Sequence, residues 1–426
     1  MGLSYLVPVH GLVLKTKLSA RSRLCRGLLT GLLLAIGIAG HAQPGLRDTL
    51  LTGHTRTALT PLYYGLGTDR LGGARLETLD SGVVLQLTGL DSSRRFWRVR
   101  LAPSLSAFVP TEQVQIDSNR AYPAGSLTGN WTVYGDTTRP TTGPTFDYVA
   151  IRLPARLPYR SQLTGTPSKL LIDVFGVTAN TNWITQRRTT REIRQVSFEQ
   201  LADDIVRITV ELTHPQSWGY ALTYQRNTLL IRVRRPPARR RLRGLTVAVD
   251  AGHGGSNTGA AGTRTGLLEK NLTLDVAHRL EQQLSRRGVR VLLVRQTDTL
   301  LGPSARMLAM RRAMPDLLVS LHFNSSDNRS VRGVSTYYKH AGFRSLSQAI
   351  LAELTRYPVP EFGNVGHFNF FFNTPTEYPN ALVEGPFLSN EADERLIESA
   401  RFRGQMATAI RRGIRRFVGK RQPAYR

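Results

Sequence analysis

The stretch DAGHGGSNTGAAGTRTGLLEKN, Asp250 to Asn271, places His253 at the exit of an apolar run and among glycines, with Glu269 sixteen residues further on. Glycines in such a turn let the backbone adopt conformations closed to other residues and leave room for a ligand. A neutral imidazole and a carboxylate are donors that suit a zinc ion. The same residues would also make a glycine-rich turn carrying a solvated histidine, and the stretch alone does not choose between the two. Two more residues of suitable chemistry close apolar segments: His322 ends DLLVSLH, and Glu384 lies at the end of ALVEG.

Such residues need a scaffold that brings strand ends together. From Leu245 the pattern starts with an apolar strand, LTVAVDAGH. In NLTLDVAHRLEQQLSRRG, Leu272, Val276, Leu280 and Leu284 form one helical stripe that stops at Gly288. Strand VRVLLVR, helix SARMLAMRRA, strands DLLVSLH and VSTYYK, helix SLSQAILAELTRY and strand ALVEG follow, then one long helix from Ala392 to about Val418. Strands alternating with helices predict an α/β domain over residues 245–419, with a mixed, largely parallel sheet flanked by helices. Functional groups collect at the carboxyl ends of such strands, which would put His253, His322 and Glu384 on one edge. His278 reads as a solvated helix residue, whereas His340 and His367 are expected near the cleft, as substrate contacts or ordinary loop histidines.

Two small all-β domains are expected ahead of this one. Residues 55–120 contain about five short alternating strands, among them GVVLQLTG and RFWRVRL, which suggest a small barrel. GDTTRPTTGP, Gly135 to Pro144, has the composition of a linker. Over residues 131–235, YVAIRLP, KLLIDVFGV, DIVRITVEL and TLLIRVRR alternate without helical periodicity and imply a sandwich. Trp183, Trp218 and Tyr220 are candidates for a sugar-stacking face or for core aromatics. The run RVRRPPARRRLRG, Arg232 to Gly244, reads as a basic, solvated linker, with residues 236–244 joining the last two domains.

The formal charge is +27. Residues 1–42 contribute five Lys or Arg and no acid, residues 43–244 a net +12, and residues 245–426 a net +10. Charge spread in this way, with no recognition helix and no aromatic–basic interleaving, argues against nucleic acid and for an anionic envelope polymer or membrane surface. Basic residues precede the apolar run GLLTGLLLAIGIAGHA, and Gly40 and Ala42 supply small residues for cleavage before Gln43. Residues 1–42 therefore read as a signal peptide, too short in its apolar part to span a bilayer, so no stable membrane span follows its removal. The single cysteine, Cys25, would leave with it. An exported protein of the periplasm or cell envelope, without disulfides, is expected.

Four motifs in order, VAVDAGHGGSNTGA, LLEKNLTLDVAHRL, SARMLAMRRAMPDLLVSLHFNS and YPNALVEGPFLSNEADERLI, resemble the zinc-dependent N-acetylmuramoyl-L-alanine amidases of the amidase 3 family. The resemblance covers residues 245–419. It implies zinc ligands at His253, Glu269 and His322, a catalytic acid/base at Glu384, and peptidoglycan as substrate. Ala251 replaces a frequent Pro, Asn257 a common Asp, and EGPFLSN departs from the family pattern beside Glu384. The spacing of RLGGARLETLDSGVVLQLTGL, RFWRVRL and AFVP is similar to bacterial SH3-like wall modules, and LLIDVFG with VRITVEL is similar to the AMIN domain. Some amidases of this family carry an inhibitory helix after the strand corresponding to VSTYYK; only HAGFR stands there in this chain. A non-catalytic wall-binding or activator protein, or another zinc hydrolase such as a sugar deacetylase, remains an alternative at this point.

Overall fold

The computed structural model describes residues 50–420 apart from 68–72, 139–142, 166–167 and 239. The signal-peptide expectation for residues 1–42 falls outside the described residues. Among the described residues no helix is long and apolar enough to cross a membrane.

Seven strands between Leu51 and Ile116 make one antiparallel sheet, more than the five or so expected. The first, Leu51–Thr55, was missed because its apolar residues are sparse, yet it pairs with both Val84–Leu90 and Val114–Ile116. Hydrogen bonding among the described residues does not close the sheet, whose edges are Ala74–Leu79 and Val114–Ile116. Residues 126–234 build a five-stranded and a four-stranded sheet and a short parallel pair. Val149, Ile151 and Ile231 of the first pack in one cluster with Ile172, Ile208 and Val210 of the second. The same cluster continues into Leu85, Leu87 and Val99 of the N-terminal sheet, so the two β-regions share a core.

Two expectations are corrected here, the linker and the solvated basic run. GDTTRPTTGP does not separate domains: it joins Trp131–Gly135 to Phe146–Arg152, which pair antiparallel with Gly135 opposite Asp147. The aromatic trio divides, with Trp218 and Tyr220 buried and Trp183 61% exposed. The basic run is not solvated throughout, since strand Thr228–Arg234 carries the buried Arg234 into the C-terminal half.

The C-terminal sheet has six strands in the order Arg290–Leu293, Thr246–Ala251, Leu317–Phe323, Asn380–Gly385, Val334–Tyr337 and Glu361–Val365. Neighbours are parallel except Val334–Tyr337 with Asn380–Gly385. Helices α1 (Glu269–Ser285), α3 (Arg344–Leu354) and α5 (Ala400–Gly419) bury Leu280, Ile350 and Ile410 against Val247, Val249 and Val319. Helix α2 (Pro303–Ala313) covers the other face, where Met310 meets Ala248 and Leu318. The edge strand Glu361–Val365 was not expected, since EFGNV lacks an apolar alternation. The long C-terminal helix is in fact two, α4 (Glu391–Glu398) and α5, interrupted at Ser399. Ser399 turns to ψ 115 and accepts a hydrogen bond from the Phe402 amide, a cap that starts α5 afresh.

The β-regions are packed onto the α/β layer. Trp218 meets Phe417 of α5 at 5.4 Å, and the Tyr220 amide donates to the Thr376 carbonyl at 2.7 Å. The Arg234 guanidinium, 3% exposed, donates to Asp316 and to the Pro315 carbonyl, while Asp316 also accepts from the Thr246 amide at 2.7 Å. Breaking a buried pair leaves an uncompensated charge. Asp316→Ala should therefore lower unfolding free energy by about 3–5 kcal/mol, read from urea denaturation. A loss under about 1 kcal/mol, the worth of a surface pair, would show that Arg234 finds water or another acceptor.

Candidate metal centre

Strand Thr246–Ala251 ends in a loop whose shape is set by what it must avoid. A Cβ on Gly252 would lie 2.4 Å from the His322 ring, and one on Gly259 would lie 2.5 Å from the Glu269 carboxylate. His253 itself adopts φ 62, the left-handed region that non-glycine residues seldom occupy. Two arginines hold the loop there. Arg306 of α2 pairs with the buried Asp250 at 2.8 Å and donates to the carbonyls of Ala251 and His253. Arg295 donates to the carbonyls of Ala251 and Gly252, at 2.9 and 3.0 Å.

Glu269 opens α1 and turns its carboxylate into the same space. Its Oε1 lies 3.1 Å from His253 Nε2 and 3.0 Å from His322 Nδ1, and accepts from the Phe323 amide at 3.1 Å. Its Oε2 accepts from the Ala260 amide at 2.9 Å. The two imidazole rings stand 4.9 Å apart, nearly perpendicular. Asn257 Oδ1 faces His253 Nδ1 at 2.9 Å and also accepts from the Gly259 amide. An acceptor there holds a proton on Nδ1, so Nε2, which faces Glu269, is the nitrogen that would give up its proton to a bound cation.

Burial by itself would push the Glu269 carboxyl up. The hydrogen bonds from His253 and His322, with their charges, outweigh it and hold the group well below the usual carboxylate range. Burial likewise opposes charge on His322, but Glu269 and the nearby Glu384 raise it to about 8. A cation is what this arrangement favours. Candidate ligand atoms of His253, Glu269 and His322 all lie within 4.8 Å of one another. Tetrahedral zinc with bonds near 2.0–2.1 Å separates its donors by about 3.3 Å, close to the two nitrogen–oxygen distances found here. The donor set thus fits zinc, with three protein ligands of the number that leaves one position open.

Glu384 sits opposite His322 on the neighbouring parallel strand and lines the same cleft of about 530 Å³. The four residues singled out in the sequence are therefore brought together on one sheet edge. One side of the cleft is apolar: Phe370 meets His322 edge-on at 5.3 Å, Phe368 stacks on Phe370 at 6.0 Å, and Leu300 and Leu301 form part of the rim. His340 and His367, expected near this cleft, line a different cavity instead. Sequence reasoning also missed Arg295 and Arg306. A basic residue closing an apolar strand, as Arg295 does in VLLVR, was the available signal; Arg306 inside a helix gave none.

Partners behind metal ligands commonly contribute 10–100-fold in affinity. Arg306→Met should weaken zinc binding by about that factor, measured by competition with a chromophoric chelator. Unchanged affinity in a folded variant would mean that the loop holds its shape without the arginine.

Residues 247–416 match the family model described as N-acetylmuramoyl-L-alanine amidase. The germination-specific N-acetylmuramoyl-L-alanine amidase of Bacillus subtilis is 30% identical over 194 residues, which cover 41% of this chain and 81% of that protein. The N-acetylmuramoyl-L-alanine amidase LytC of the same organism is 32% identical over 174 residues, 40% of this chain and 35% of LytC. The chain thus spans about a third of LytC's length. Among solved structures, the amidase AmiC2 of Nostoc punctiforme aligns with a TM-score of 0.40 and 31% identity, over 41% of this chain and 98% of that one.

Proposed function

Because the chain belongs to the N-acetylmuramoyl-L-alanine amidase family, we propose that residues 245–419 hydrolyse peptidoglycan at the amide between the lactyl group of N-acetylmuramic acid and L-alanine. The observation that carries this reading is the convergence of two imidazoles on one carboxylate oxygen, with Glu384 on the next strand. His253, Glu269 and His322 would hold zinc, with Asn257 and Arg306 fixing how His253 is presented. When bound, zinc supplies Lewis acidity toward the amide carbonyl and lowers the pKa of water.

Glu384 takes a proton from the attacking water as the carbon–oxygen bond forms, and returns it to the departing L-alanine nitrogen as the carbon–nitrogen bond breaks. Phe368 and Phe370 give the cleft an apolar wall that limits water beside His322. The N-terminal sheets are assigned as SH3-like and AMIN-like modules that hold an exported enzyme on peptidoglycan or other anionic envelope polymers. The net charge of +12 over residues 43–244, basic linker included, supports that role.

Digestion of purified peptidoglycan tests the reaction. New N-terminal L-alanine is expected, abolished by chelation and restored by zinc. Release of acetate would assign a deacetylase, and no product with stoichiometric zinc would assign a binding protein.

The two glutamates should separate. Glu384→Gln is nearly isosteric and should keep its zinc while turnover falls by roughly 10²–10⁴-fold. Glu269→Ala removes one of three protein donors and should lose both zinc and activity. Metal content and turnover measured side by side decide; loss of zinc from Glu384→Gln would reverse the roles.

A further inference from the structure

A second cavity, of about 450 Å³, opens where the N-terminal sheet, the four-stranded sheet and the α/β layer meet. Its charged lining is Arg75 and Glu77 from one strand, Arg160, Asp173 and Arg207 from the four-stranded sheet, and Lys339 from the α/β layer. Four cations face two carboxylates. Asp173 is taken up by Arg160 at 2.7 Å and Arg207 at 2.7 Å, and Glu77 accepts from the Ser161 amide at 2.7 Å. Burial, helped by Arg75, pushes the Lys339 ammonium down to about 8, so it stays charged at neutral pH. Counted by residue type the lining has two more cations than carboxylates, and burial pushes the Glu77 carboxyl up, which does not reduce that excess.

The surplus is not fully used by the protein. Among the described residues Arg75 Nε is buried without a hydrogen-bond partner, and its guanidinium lies over the rings of Tyr63 and Phe371, at 5.9 and 5.5 Å. Among the described residues the hydrogen-bond acceptors of Lys339 Nζ are neutral, Asn369 Oδ1 at 3.0 Å and the Arg75 carbonyl at 3.4 Å, while the Glu77 carboxylate attracts it from further off. Buried donors of this kind are costly unless an acceptor arrives. The volume lies in the range that holds small organic ligands, well beyond an inorganic anion. Gln162 and Thr78 add amide and hydroxyl partners suited to a peptide backbone.

We propose that this cavity binds a short acidic peptide, one carboxylate meeting Arg75 and Lys339 and a second meeting the Arg160–Arg207 pair. The site does not depend on the amidase chemistry, but it shares a wall with the metal cleft. In the segment 367–374, His367, Asn369 and Thr374 face this cavity, while Phe368 and Phe370 line the metal cleft. Asn369 also donates to the Gly73 carbonyl at 2.9 Å, tying that wall to the N-terminal sheet.

Calorimetric titration of the full chain with the tripeptide Ala-Glu-Glu tests the site. One binding event is expected, unchanged by prior chelation of zinc and weakened about tenfold or more in Arg75→Gln, since a charged hydrogen bond is lost. Lys339→Gln should act in the same direction, and urea denaturation of both variants verifies that they fold. Four results would overturn the proposal: no binding, loss of binding on chelation, wild-type affinity in folded Arg75→Gln, or displacement by inorganic phosphate at equal concentration.

Discussion

One carboxylate oxygen, Oε1 of Glu269, receives two imidazole nitrogens and a backbone amide within 3.1 Å. That point constrains what surrounds it. For Glu269 to reach it, α1 must begin at that residue. His253 must accept a left-handed backbone, and residues 252 and 259 can carry no side chain. The charge gathered there is balanced further out by Asp250 with Arg306, and by Arg295 on the loop carbonyls. The strained loop persists because these partners over-determine it.

The α/β layer supplies this site but does not close it alone. The aromatic segment beside His322 is fastened from behind by the N-terminal sheet, through Gly73 to Asn369 and Arg75 over Phe371. Trp218 and Arg234 bury themselves between the β-regions and the layer. An apolar core that runs through both β-regions and reaches Phe343 makes this arrangement stiff.

Much of this was legible in the sequence, for identifiable reasons. His253, His322 and Glu384 could be placed on one edge because each ends a segment whose period and composition mark a strand, and parallel strands align their carboxyl ends. Glu269 could be assigned only through the family motif, since a helix start does not announce where its side chain points. Arg306 was hidden because its partners, Asp250 and the His253 carbonyl, are more than 50 residues away. Ser399 was read through because one capping hydroxyl does not interrupt the apolar stripe on either side. The basic run misled by composition: Arg234 looks like its neighbours, and only its strand register carries it inside.

The shared core bears on how such a chain could be recombined. A crossover at Gly244 looks natural in the sequence, because composition changes there. Grafting a different leader region at that point would bare the face of α5 that Trp218 covers and would remove the guanidinium that answers Asp316. It would also leave the aromatic wall of the cleft without its backing. The workable seam is therefore not the linker: any exchanged piece has to bring the tryptophan, the arginine and the Gly73 carbonyl with it.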